Sequence, residues 1–132
     1  MIVIDASVLS NIVGDDGPVG RSARERLRRS WSGYVPDLAD VETVAVLRKR
    51  WLARDLTVGR FRQAIDELLA LPLMRIPSGR MTQRAFQLRA SLTAYDAMYV
   101  ALAEALDCPL ITADGRLART ARRLCRVEVF TP

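Results

Sequence analysis

The sequence predicts an α/β domain whose parallel sheet is covered by helices on both faces. Three observations lead there. Short apolar runs, each small enough for a buried strand of a parallel sheet, recur at 2–4, 34–35, 73–76, 110–112 and 127–130. Stretches with helical periodicity alternate with them, the pattern of βαβ units. The chain of 132 residues shows no internal repeat, linker or low-complexity stretch, as expected of one domain over residues 1–132 with one core.

Taken in order, Ile2–Ile4 is a β-branched strand that stops at Asp5, and Val8–Val13 continues as a short helix. Residues 14–18 are loop by composition. A basic amphipathic helix follows over 19–30, carrying Arg21, Arg24, Arg28 and Arg29. After the brief strand at Tyr34 and Val35, a helix runs from Pro36 to about Arg54. Asp37 reads as its N-cap and Asp40, facing solvent, as the third-position partner. Thr57 opens the next helix, with Phe61, Ile65, Leu68 and Leu69 expected on one buried face, until Pro72 stops it. Residues 79–92 read as a helix burying Met81, Ala85, Phe86 and Leu88. Thr93 caps a helix that is apolar on nearly every side, as a buried one is. Pro109 breaks that helix, and the strand at 110–112 ends at Asp114. A short basic helix then spans 115–124.

Composition excludes several chemistries. Histidine is absent, which removes imidazole bases, His-activated nucleophiles and His metal ligands. Cys108 and Cys125 match no metal-ligand spacing and read as buried reduced thiols. The net charge of +5 comes almost wholly from arginine, Lys49 being the only lysine. That suits phosphate contacts with nucleic acid, and equally a solvated surface rich in arginine. Nothing reads as a targeting or membrane-spanning segment, so a soluble, cytoplasmic protein is expected.

Acid–base or metal chemistry must therefore run on carboxylates. Asp5 and Asp114 each follow a strand directly, where ligands bind in parallel sheets. Asp96 shares a helix face with Tyr99, Val100 and Ala103. Asp5, Asp96 and Asp114 each have an ordinary reading as helix caps. Glu42 does not, because it lies beyond the first turn. On a helical wheel it stands about 40° from Leu38 and about 60° from Ala45, in an arc that includes Leu52. If the four acids converge, protons or a cation must relieve their repulsion. Oxygen donors alone suit Mg²⁺ or Mn²⁺ rather than Zn²⁺.

Four ordered segments, 4–7 (Ile-Asp-Ala-Ser), 35–42 with Leu47 and Arg48, 95–104, and 110–114 followed by Leu117, resemble the PIN domain, and more closely the VapC-type toxins of bacterial toxin–antitoxin pairs. The resemblance covers essentially the whole chain. It implies a three-layer α/β/α fold on a five-stranded parallel sheet and Mg²⁺-dependent ribonuclease activity. It places Asp5, Glu42, Asp96 and Asp114 at the acidic site, with Ser7 and Thr112 as polar support. Asp5 and Asp96 would bind the principal ion, while Glu42 and Asp114 would orient its waters or help hold a second. It also implies an RNA substrate, a VapB-type antitoxin and a homodimer. Trp51, Leu52 and Phe61 could floor a groove for an apolar helix of that antitoxin, or simply pack between adjacent helices.

Rival readings lack their required residues. A receiver domain needs a late-strand lysine, and a haloacid-dehalogenase-type phosphatase needs an acid where Ser7 stands. No glycine-rich phosphate loop is present. The rival from another class is a catalytically silent PIN-like module that binds RNA or a protein partner.

Overall fold

The computed structural model describes residues 1–131. Strand β1 (Ile2–Ile4) is buried at every position and lies in the middle of the sheet. The chain leaves it through α1 (Ala6–Gly14) and α2 (Pro18–Arg28) to β2 (Gly33–Pro36). It continues through α3 (Leu38–Leu52) and α4 (Val58–Ala70) to β3 (Leu73–Ile76). A 3-10 turn at Ser78–Met81, then α5 (Thr82–Gln87) and α6 (Ala94–Leu106), carry it back across the sheet to β4 (Leu110–Thr112). Helix α7 (Gly115–Ala121) leads to β5 (Val127–Val129).

The strand order is β3-β2-β1-β4-β5 and every pairing is parallel. The chain winds outward from β1 on one side and restarts on the other, so the order reverses between β1 and β4. Right-handed crossovers put the helices of the two halves on opposite faces, giving the expected three layers. Helices α1 to α4 pack on one another, and α6 covers β1, β2 and β4. Ile4 pairs with Ile111, so β4 ends one residue beyond β1. A reversal of this kind leaves a crevice outside the strands' carboxyl ends.

Burial sets the order of importance among the helices. Helix α1 buries seven of its nine residues, because it lies between the sheet and α2, α3 and α4. Each fully buried Val or Leu there is worth about 1.5–3 kcal/mol in transfer terms. Helix α2 can fold back on the end of α1 only because residue 20 is glycine: a Cβ at Gly20 would stand 1.7 Å from the Asp15 carbonyl oxygen. Among the described residues no helix is long and apolar enough to cross a membrane.

Several local expectations give way to tertiary contacts. Asp37 already has helical backbone angles (φ −61°, ψ −24°) and makes no side-chain cap. Its carboxylate instead accepts from the Ser78 backbone N–H at 3.0 Å and from the Ser78 hydroxyl. Asp40 does not face solvent; Arg75 grips it with two hydrogen bonds of 2.7 and 3.2 Å. The buried stripe of α3 is Ala39, Thr43 and Leu47, so Ala45 and Leu52 lie outside it and are exposed. Leu69 is exposed beside the buried Ala64 and Leu68. The segment 79–92 is not one helix. Helix α5 ends at Gln87 and turns follow, leaving Phe86 on the surface under the Arg89 guanidinium, while Met81, Ala85 and Leu88 are buried. Other ends move by a few residues: α1 starts at Ala6, α2 stops at Arg28, α7 at Ala121 and β5 at Val129. Both cysteines are free thiols, Cys108 buried and Cys125 half-buried, and burial pushes the Cys125 thiol up to about 11.

Candidate active site

The end of β1 delivers Asp5 to the crevice. Its backbone is extended and its side chain caps α1 by accepting from the Val8 N–H at 3.2 Å. The same carboxylate oxygen accepts from the Ser7 hydroxyl at 2.5 Å, and the other accepts from the Thr112 hydroxyl at 2.5 Å. Ser7 and Thr112 also tie down the chain after β4, since the Ser7 hydroxyl accepts from the Ala113 N–H and the Thr112 hydroxyl from the Asp114 N–H. Two hydroxyls thus stitch β1 to β4 and hold Asp5 in one orientation. Asp5 is only 4% exposed, and burial raises its pKa against the opposing effect of those hydrogen bonds.

The other three acids come from separate elements. Asp114 caps α7, accepting from the Arg116 and Leu117 N–H groups at 2.8 and 3.2 Å. Asp96 sits in the first turn of α6, its N–H donating to the Thr93 hydroxyl at 3.1 Å. Asp5, Asp114 and Thr93 therefore do make the caps read from the sequence, and Asp5 and Asp114 still line the cleft. Glu42 lies at the edge of the buried stripe of α3. Its Oε1 accepts from the Tyr99 hydroxyl of α6 at 2.8 Å.

All four acids line one cleft of about 310 Å³, together with Ala6, Ser7, Ala45, Val46 and Tyr99. Their charges act on one another. Burial raises Glu42, as do the charges of Asp96 and Asp5, while the Tyr99 hydrogen bond works against the rise. Burial and the charge of Asp114 raise Asp96, opposed by Thr93 and Arg116. Among the described residues none of the four is in an ion pair. A cluster of this kind favours a proton or a cation.

The donor set fits a hard cation, being carboxylate and hydroxyl oxygen only. No three acidic or cysteine side chains among the described residues stand close enough to enclose an ion unaided. Mg²⁺ is ordinarily held by one or two carboxylates with water completing its shell. Tyr99 is the site residue that sequence reasoning passed over as part of an apolar face. Trp51 and Leu52 lie outside the cleft and are exposed, at 42% and 55%, whereas Phe61 packs partly buried against the core.

The PIN-domain model matches residues 2–123, and the chain belongs to the PIN-domain family. Among curated relatives, Ribonuclease VapC9 of Mycobacterium tuberculosis is 39% identical over 130 residues, covering 98% of each chain. Ribonuclease VapC12 of the same organism is 36% identical over 129 residues, again with 98% of each chain covered. Among solved structures, that of VapBC2 from Rickettsia felis bound to a DNA fragment from their promoter superposes with a TM-score of 0.71. It is 14% identical and covers 99% of this chain and 100% of that one.

Proposed function

We propose that this chain is a Mg²⁺-dependent endoribonuclease and the toxin half of a type II toxin–antitoxin pair. One observation carries the reading: Asp5, Glu42, Asp96 and Asp114, brought from four separate stretches, line a single cleft at the reversal of strand order, and among the described residues no basic group pairs with them. Full-length likeness to proteins named ribonucleases supports the reaction class.

Asp5 and Asp96 would hold the ion, with Glu42 and Asp114 orienting water around it or helping to hold a second; Mn²⁺ meets the same oxygen donors. When bound, the ion offsets the repulsion among the carboxylates and acidifies water for attack on phosphorus. The chain's own groups do the rest. Ser7 and Thr112 lock the rotamer of Asp5. The α7 N-terminus fixes Asp114. Glu42, half-buried with its pKa raised and steered by Tyr99, would be one carboxylate able to take the proton from the attacking water. The partner reading is a VapB-type antitoxin, supported by the likeness to VapBC2, and a second copy of the chain as homodimer partner.

The test is RNA cleavage with Mg²⁺ and with EDTA, for the wild type and for Asp5→Asn. Cleavage by the wild type only, and only with Mg²⁺, is the expected result. Full activity in Asp5→Asn would remove the mechanism. RNA binding without cleavage under every condition would favour the silent binding module.

A further inference from the structure

The positive charge of this chain is concentrated in one place. Of its 20 basic and 15 acidic side chains, residues 115–127 hold Arg116, Arg119, Arg122, Arg123 and Arg126 and no acid, so the remainder carries 15 of each sign. That stretch is α7 and the turn joining it to β5. Leu117, Ala118 and Ala121 bury one face of α7, while Arg116, Arg119, Arg122 and Arg123 are exposed. Among the described residues none of these four is in an ion pair. Four arginines elsewhere are tied down, Arg26 to Glu128, Arg60 to Asp16, Arg75 to Asp40 and Arg84 to Glu104. Within α7, at 100° and 1.5 Å per residue, Arg116 and Arg119 stand about 60° and about 4.5 Å apart, and Arg122 and Arg123 follow in the turn after Ala121.

Local helix physics explains part of this. A cation at a helix carboxyl end meets the negative end of the dipole, which accounts for Arg119, Arg122 and Arg123. It does not account for Arg116, which lies in the first turn, where the dipole disfavours positive charge. Arg116 stands two residues from Asp114 at the cleft, and its charge reaches Asp96. The ladder therefore begins at the rim of the acidic cleft and leads away from it. No large apolar side chain is exposed along it among the described residues, which argues against a protein partner needing apolar anchors.

We infer that Arg116, Arg119 and Arg123 form a track on which the backbone of a single-stranded RNA runs out of the cleft. The inference rests on the ribonuclease reading, because an acidic cleft repels a phosphodiester chain and needs cations beside it to retain one. Guanidinium groups suit phosphate oxygens by their fork geometry.

The test compares the wild type with Arg119→Ser/Arg123→Ser, two exposed positions away from the carboxylates. A control, Arg54→Ser/Arg62→Ser, removes the same charge elsewhere. Binding of a labelled single-stranded oligoribonucleotide is measured by anisotropy in EDTA over a range of salt, and cleavage with Mg²⁺ is measured in parallel. The ladder variant is expected to bind on the order of tenfold more weakly, with a salt slope shallower by about 1.4, the value for two lost single-strand phosphate contacts. Its KM should rise with kcat unchanged, and the control should stay close to wild type. Equal weakening of both variants, or tighter ladder-dependent binding of duplex DNA than of the RNA, would overturn the track. If the wild type cleaves no RNA, the ribonuclease reading fails on its own, and the EDTA binding curves still decide the ladder.

Discussion

The Tyr99 hydroxyl donates to Glu42 Oε1 at 2.8 Å, joining α6 to α3 across 57 residues of sequence. Tyr99 is only 1% exposed, so the phenol fills the core with its ring and steers a cleft carboxylate with its tip. Glu42, which caps no helix, depends on this contact for its direction.

Tyr99→Phe keeps the ring and removes the steering. Hydrogen bonds to charged groups contribute about 1.5–3 kcal/mol, so cleavage should fall on the order of tenfold or more while the variant still folds cooperatively. Initial rates of RNA cleavage beside a thermal melt check this. Unchanged rates would mean that Glu42 needs no orientation from α6.

A second prediction concerns the far edge of the sheet. Arg26 of α2 grips Glu128 of β5 through bonds of 2.6 and 2.7 Å, and its remaining nitrogen donates to the Ser30 hydroxyl. The guanidinium holds Glu128 below the usual carboxylate range, and the pair raises Arg26 in return. Because the folded pKa of Glu128 is lowered, its stabilisation is complete above the unfolded value and is lost as pH falls through the folded one. The Glu128 side chain is 41% exposed, so solvent screening keeps the contribution under about 1 kcal/mol. Glu128→Gln should therefore melt below wild type at neutral pH and match it once the pH is under the folded pKa. A gap that persists there would point to packing rather than charge.

Trp51 is 42% exposed near the end of α3, beside the exposed Leu52. Its indole is not fully packed, so Trp51→Ala should cost well under the ~3–5 kcal/mol of a buried aromatic truncation. If Trp51 belongs to the proposed antitoxin groove, the variant should lose affinity for a VapB-type antitoxin by tenfold or more, read by co-purification and by titration. Equal binding would count against a groove there.

Much of the site could be read from sequence because chain position and chemistry coincide. Asp5 and Asp114 each follow a short apolar strand, and a parallel sheet gathers such positions at one edge. Asp96 could be read from the apolar helix face it shares with Tyr99, Val100 and Ala103. Tyr99 could not, since a tyrosine on an apolar helix looks like core until the facing helix is placed. Asp37 and Asp40 misled for the converse reason. Local capping rules describe a helix end alone, whereas Ser78 and Arg75 arrive from distant segments with better geometry. Valines and alanines surround α3, so periodicity does not single out Ala39, Thr43 and Leu47 as its buried face. Leu69 and Phe86 show the limit from the other side: large apolar residues at helical spacing stay exposed when no element covers them.

The claim on which the rest depends is that Asp5, Glu42, Asp96 and Asp114 act together on one hard divalent ion. Calorimetric titration of Mg²⁺ or Mn²⁺ into the wild type and into Asp5→Asn/Asp96→Asn tests it most directly. Saturable binding in the wild type, lost in the double variant while its circular dichroism and cooperative melt persist, is the expected result. Equal binding in both proteins, or none in either while EDTA-treated protein still cuts RNA, would contradict it.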